Sequence, residues 1–286
     1  MSVWLPIVVP ASVAGMCLVV SWHAWRRRNL HAQGHWGGAL GIAAAFFAAQ
    51  VLLLSWPDFP PEQSVDRLAW LAIPLGALGV AQRWWGARWY VAWPLRILVS
   101  AGLCYALLQT QIEHRWDRNE SYAWITGLTI ALTALWYSLE TLATLRGGAS
   151  LPLSLCASCA TSAAAFTLAG SGEIGQLAGA LAAACGAAVV LAWWAPGISL
   201  RGGTIAVLVP LSAGLLLRSY FFSELTAWSA GLLYAAPFVL WYGEQRRFRF
   251  TRPWKAALVR AGLIVLPGLA AIGIEWWTKV RGAESF

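Results

Sequence analysis

The sequence predicts an all-α polytopic membrane protein, with ten transmembrane helices arranged as two inverted five-helix repeats. Three observations lead there. Of 286 residues, 59% are apolar and only 11% are charged, against about 45–50% and about 25% in ordinary soluble domains. Apolar runs close to the roughly 20 residues that one bilayer crossing requires recur along the whole chain. The second half also repeats, in order, small, polar and proline residues of the first. A chain this apolar cannot hide in one core and still cover itself with charge. That excludes a disordered segment, a secreted disulfide scaffold and, despite a net charge of +8, a nucleic-acid-binding domain.

The predicted spans are 4–25, 36–56, 68–85, 93–112, 121–145, 150–170, 174–195, 204–222, 225–242 and 255–277. The first is preceded by Met1-Ser2-Val3-Trp4, without a basic flank, and followed by Arg26-Arg27-Arg28. That order predicts a retained helix with its N-terminus outside, rather than a cleaved signal peptide. The second and seventh carry ladders of Gly and Ala, the pattern of closely packed membrane helices. The third contains Pro74; the eighth contains Pro210. The sixth holds Cys156-x-x-Cys159, which reads as small packing residues. All five cysteines fall inside apolar runs and imply no disulfide framework. Connections are short, so no separate extramembrane domain is predicted.

Lys and Arg set the direction of insertion. Alternate loops hold Arg26, Arg27, Arg28, Arg83, Arg88, Arg146, Arg201, Arg246, Arg247, Arg249, Arg252 and Lys255. The opposite set holds only Arg67, Arg115, Arg118, Lys279 and Arg281, together with most of the carboxylates. The basic side is the predicted cytoplasmic side of a cytoplasmic or inner membrane, and both termini are predicted on the other. Tryptophans such as Trp56, Trp116, Trp124, Trp193, Trp194, Trp254, Trp276 and Trp277 mark span ends, where an indole prefers the headgroup boundary.

The internal duplication divides the chain into 1–148 and 149–286. Leu5-Pro6 opens the first span as Leu151-Pro152 opens the sixth. Gly37, Gly41, Ala45 and Ala49 return 138 residues later as Gly175, Gly179, Ala183 and Ala187. Pro74-Leu75-Gly76-Ala77 matches Pro210-Leu211-Ser212-Ala213. The segment from Ser100 to Ala106 matches that from Ser229 to Ala235, with Tyr105 opposite Tyr234. Gly127, Leu128, Glu140, Arg146 and Gly147 return at Gly262, Leu263, Glu275, Arg281 and Gly282. An odd number of spans per copy forces the second copy to enter from the opposite face, which agrees with the charge-based direction. Inverted halves suit alternating access, since exchanging their conformations exchanges the open side.

Ten spans, this 5+5 inverted duplication, short loops and the chain length resemble the drug/metabolite transporter superfamily. Bile-acid-type and auxin-carrier-type transporters share the span count. The resemblance is one of architecture along the whole chain and carries no signature motif. It implies a membrane carrier of small solutes. The predicted outside termini depart from drug/metabolite transporters, whose termini usually lie inside.

Interruptions at corresponding places in two halves point to a transporter site, which singles out Pro74 and Pro210. Each removes a backbone donor and frees a carbonyl; the other reading is a packing kink satisfied by neighbouring helices. Ser100, Tyr105, Ser212, Ser229 and Tyr234 add hydroxyls within the spans, either lining a cavity or cross-linking helices. Glu140 and Glu275, at equivalent positions near opposite membrane faces, are candidate gates, or else boundary carboxylates beside aromatic neighbours. Arg96, Arg218 and Arg260 are close enough to span ends to snorkel. His31-x-x-x-His35 has metal-ligand spacing but lies in a basic loop lacking a carboxylate, so no metal is expected. No nucleotide loop or catalytic motif is present.

The expected function is therefore transport of a small neutral or amphipathic solute, with no catalytic residue and no cofactor. The alternative is a structural or accessory subunit of a membrane complex. The expected partners are the bilayer and a small-molecule solute.

Overall fold

The computed structural model describes residues 5–27, 36–61, 63–85, 88–145, 148–194, 200, 203–244 and 253–283. His31, His35 and the loop residues Arg28, Arg146, Arg201, Arg246, Arg247, Arg249 and Arg252 lie outside these. The described chain is all-helical: α1 (Leu5–Arg27), α2 (Trp36–Leu54), α3 (Ser64–Trp85), α4 (Trp89–His114) and α5 (Arg118–Leu145). There follow α6 (Ser150–Leu168), α7 (Gly172–Trp194), α8 (Thr204–Phe222), α9 (Ala227–Ala235), a 3-10 segment (Ala236–Glu244) and α10 (Pro253–Ala283). Among the described residues, nine helices are long and apolar enough to cross a membrane. This is a polytopic integral membrane protein.

The ninth predicted span differs from a single α-helix. It is split into nine residues of α9 and nine residues of 3-10 helix. The break falls at Pro237, which cannot donate to the α-helical ladder and crowds the carbonyl one turn back. At about 1.5 Å per α-helical and about 2.0 Å per 3-10 residue, the two pieces together still reach about 30 Å, one hydrocarbon thickness.

The bundle has two ends. The one that holds Arg88 and Lys255 is called the basic end; the other carries 55–61, 115–117, 169–171 and 223–226, with most of the described carboxylates, and is called the acidic end. At its centre stands α8, which packs against α2, α3, α4, α5, α7 and α9. Every residue from Thr204 to Leu211 is buried, as expected of a helix that is apolar all round. Helices α2 and α7 touch across the middle, as do α3 and α8.

Small residues permit these approaches. A methyl group on Gly37 would strike Ser21 and the Cys17 carbonyl of α1, and one on Gly175 would strike Thr167 and the Ala163 carbonyl of α6. Gly203 combines a left-handed φ of 91° with direct contact of its backbone on Gly79 of α3. A side chain there meets both strain and a clash.

At the acidic end, polar groups tie α3, α4 and α8 together. Arg67 donates to the Ala106 carbonyl at 2.8 Å, Gln111 to the Phe221 carbonyl at 3.2 Å, and Arg218 to the Ser64 hydroxyl. Near the basic end, Arg260 donates to the Ser150 hydroxyl at 3.0 Å. Arg96 and Arg260 are each only 8% exposed. The arginines within the spans therefore bond inside the bundle rather than snorkelling to the headgroups.

Candidate functional site

A cavity of about 50 Å³ lies where α5, α6, α7, α8 and α9 meet the 3-10 segment. The surrounding helices are apolar, yet the cavity is not uniformly so. Ser158, Cys159 and Ser162 of α6 face it, as does Ser212 of α8. Their positions follow from helical spacing: Ser158 and Ser162 are one turn apart on one face. Ser212 returns its proton to the Val209 carbonyl at 3.1 Å. Leu233, Tyr234 and Pro237 close the cavity at the break in the ninth span.

Beside it runs a wider groove of about 270 Å³ between α5, α8 and α9. Trp124, Leu128, Ala131 and Leu132 form the α5 wall; Ala227, Ala230 and Gly231 form the α9 wall. Ala213, Leu216 and Tyr234 line both the groove and the cavity, and so form the partition between them. Tyr234 crosses the groove and donates to the Ala131 carbonyl at 2.7 Å. Further toward the basic end, the Trp241 indole donates to Ser138 of α5 at 2.6 Å. These two bonds hold the ninth span to α5 along its basic half. Apart from the Tyr234 bond, α5 makes little contact with α9 itself, and the groove lies between them.

Two carboxylates sit apart from the cavity. At the basic end, Glu140 of α5 accepts from Arg96 of α4 at 2.8 Å and from Gln82 of α3 at 2.5 Å. The guanidinium lies 5.9 Å from the Trp93 ring centre and 5.8 Å from that of Tyr137, within cation–π range. At the acidic end, Glu275 is 2% exposed. It accepts from the Thr226 backbone N–H at 3.0 Å and from the Thr226 hydroxyl at 2.8 Å. Thr226 is the N-cap of α9, so the carboxylate stands at the positive end of that helix.

The residues singled out in the sequence are not brought together. Ser212 and Tyr234 line the cavity, and Pro210 is buried beside it on α8. Ser229 is buried and bonds the Ala271 carbonyl of α10 at 3.2 Å, cross-linking two helices. Ser100 is fully buried, with no hydrogen-bond partner for its hydroxyl among the described residues. Pro74 and Tyr105 lie on the exterior of the bundle, away from the cavity. Sequence reasoning missed Pro237, although a proline deep in a predicted span was a visible signal. It also missed the Arg96–Glu140 pairing, whose partners are on different helices. Among the described residues no group of three or more His, Cys, Asp or Glu is placed to hold a metal ion.

Comparison with family models, with curated proteins and with solved structures gives no match.

Proposed function

We propose that this protein is a secondary carrier or facilitator of a small neutral or amphipathic solute, working by alternating access between the halves 1–148 and 149–286. One observation carries the reading: a span broken at Pro237 borders a cavity furnished with three serines. Discontinuous helices beside a central site are a recurring arrangement in secondary transporters. The uncharged hydroxyls of Ser158, Ser162 and Ser212 suit a neutral polar group, and the leucines around them suit an apolar one.

Equivalent contacts support two related halves. The register that equates Leu5-Pro6 with Leu151-Pro152 also equates Cys17 with Ala163 and Ser21 with Thr167. Those are the residues that Gly37 and its counterpart Gly175 touch. Likewise Glu140 reaches α4 four residues before Ser100, and Glu275 reaches the start of α9 three residues before Ser229. The two carboxylates hold the fourth and fifth helices of each half together near opposite ends, which is where symmetric gates would act.

Uptake by the purified protein in proteoliposomes, measured with a panel of neutral and amphipathic metabolites, tests the proposal. The expected result is saturable flux of at least one solute, reduced at least tenfold by Ser212→Leu, which fills the cavity. Absence of saturable flux across the panel counts against it. The second reading, an accessory subunit without transport, is favoured by the exterior position of Pro74, because only one of the paired prolines lies near the cavity.

A further inference from the structure

We infer that the groove between α5 and α9 is a binding site for the hydrocarbon chain of a single-chain amphipath, admitted sideways from the leaflet at the acidic end. This names a substrate class and an entry route for the proposed carrier and rests on that reading for its purpose, though not for its existence.

Eight of its twelve lining residues belong to α5 and α8, two of the helices long and apolar enough to cross a membrane, so the medium at its mouth is hydrocarbon rather than water. Its walls offer no charge, and their only hydroxyls are the phenols of Tyr220 and Tyr234. The phenol at the deep end is engaged with Ala131. On α9 the lining positions Ala227, Ala230, Gly231 and Tyr234 follow helical spacing, and three of the four are Ala or Gly. A methyl group built on Gly231 would meet nothing within 4 Å, so the chain's own side chains leave this space open. An unfilled space of this size between helices forfeits dispersion contacts along its whole lining. A flexible apolar chain from the bilayer restores them.

Size restricts the guest. At about 270 Å³ the groove is roughly twice the ~150 Å³ apolar cavity that accepts a benzene ring, and falls just below the usual ~300–1,000 Å³ range of ligand pockets. One alkyl chain fits; the paired chains of a phospholipid do not. Shape gives the direction of entry. The bonds at Tyr234 and Trp241 close the α5 contact toward the basic end, and the aromatic group of Trp116, Trp124 and Phe221 marks the acidic-end boundary. A guest therefore lies with its polar head near those rings and its tail against Tyr234. Beyond Tyr234 is the serine-lined cavity.

The test uses the full chain in phosphatidylcholine nanodiscs with a fatty acid carrying a terminal diazirine. Photolabelling mapped by mass spectrometry is expected to be saturable and to fall on 124–132 and 227–234. Fatty acid and lysophosphatidylcholine, added as separate competitors, both reduce it if the chain is the recognised feature; competition by only one assigns the head group as well. Gly231→Leu and Ala230→Phe, which fill the groove from α9, should each lower labelling at least fivefold. Labelling that rises without saturation, or is unchanged in both variants, identifies ordinary boundary lipid and overturns the proposal. So does equal competition by a two-chain diazirine phosphatidylcholine. Saturable groove labelling without flux of any solute would remove the carrier reading and leave the site standing.

Discussion

Glu140 and Glu275 are paired by the proposed duplication, yet each is satisfied by different chemistry. Glu140 meets a guanidinium and an amide; Glu275 meets a backbone N–H and a hydroxyl. The cause is where the fourth helix begins. In the first half α4 starts at Trp89, and Arg96 already lies inside it. In the second half the matching residue is Leu225, and α9 starts only at Ala227. The carboxylate therefore finds a helix N-terminus where its counterpart finds a side chain. In the proposed duplication, a contact between two helices is kept while an ion pair is exchanged for a cap. The exchange also makes the two contacts differ in kind, since Glu140 faces a full counter-charge and Glu275 faces a hydroxyl and the partial positive charge of a helix N-terminus.

The largest expected effect follows from that asymmetry. Arg96→Met leaves the Glu140 carboxylate without its counter-charge and should cost about 3 kcal/mol, as removal of one member of a buried pair does. Arg96→Met combined with Glu140→Leu should recover most of the loss. Thermal unfolding of the purified variants measures both; strictly additive losses would mean that the pair is not coupled.

The next comparison concerns the glycine ladders. A methyl group on Gly41 would press on the Ala14 carbonyl at 3.1 Å and on Cys17 at 3.2 Å, whereas one on Gly179 meets nothing within 4 Å. Gly41→Ala should therefore destabilise by about 1–3 kcal/mol, and Gly179→Ala should be neutral or slightly stabilising. Equal losses would show that the α1–α2 contact is no tighter than the corresponding face of α7.

Thr226→Ala removes a hydroxyl that caps α9 and bonds Glu275, and should cost about 1 kcal/mol, with Thr226→Ser restoring it. The same measurement on Ile97→Ala, at the matching place inside α4, should show no rescue by serine. A smaller stability effect, about 0.6 kcal/mol, is expected for Tyr234→Phe, the usual scale for one hydrogen bond between membrane helices. Its informative readout is kinetic. With Cys17, Cys104, Cys156 and Cys185 replaced by alanine, maleimide should alkylate Cys159 in the cavity several-fold faster once the Tyr234 latch is gone. An unchanged rate would show that Tyr234 does not divide the groove from the cavity.

Spans were readable because lipid imposes a length and a composition. The predicted 204–222 coincides with α8 (Thr204–Phe222), and 121–145 lies within α5 (Arg118–Leu145). The rotation of each helix was not readable. In water an apolar stripe marks the buried face, but lipid rewards apolar side chains on both faces. Pro74 and Tyr105 therefore looked as suited to an interior as Pro210 and Tyr234, and only packing separates them. The Arg96–Glu140 pair was hidden for a related reason, since its members are 44 residues apart and their meeting depends on how α4 and α5 turn toward each other. The split of the ninth span was legible in principle, because Pro237 is a local signal that needs no tertiary context.

That split span decides the architecture. Nine described helices are plainly long enough to cross, and the tenth crossing depends on α9 and the 3-10 segment acting as one. Cysteines placed at Ser2 and Ser285, in a background without native cysteines, can be probed with a membrane-impermeant maleimide on intact cells. Ten crossings and inverted halves predict that both are labelled from the outside. An N-terminal cysteine labelled from outside with a C-terminal one labelled only after permeabilisation would mean an odd number of crossings, and would contradict the inverted pair on which the transport reading stands.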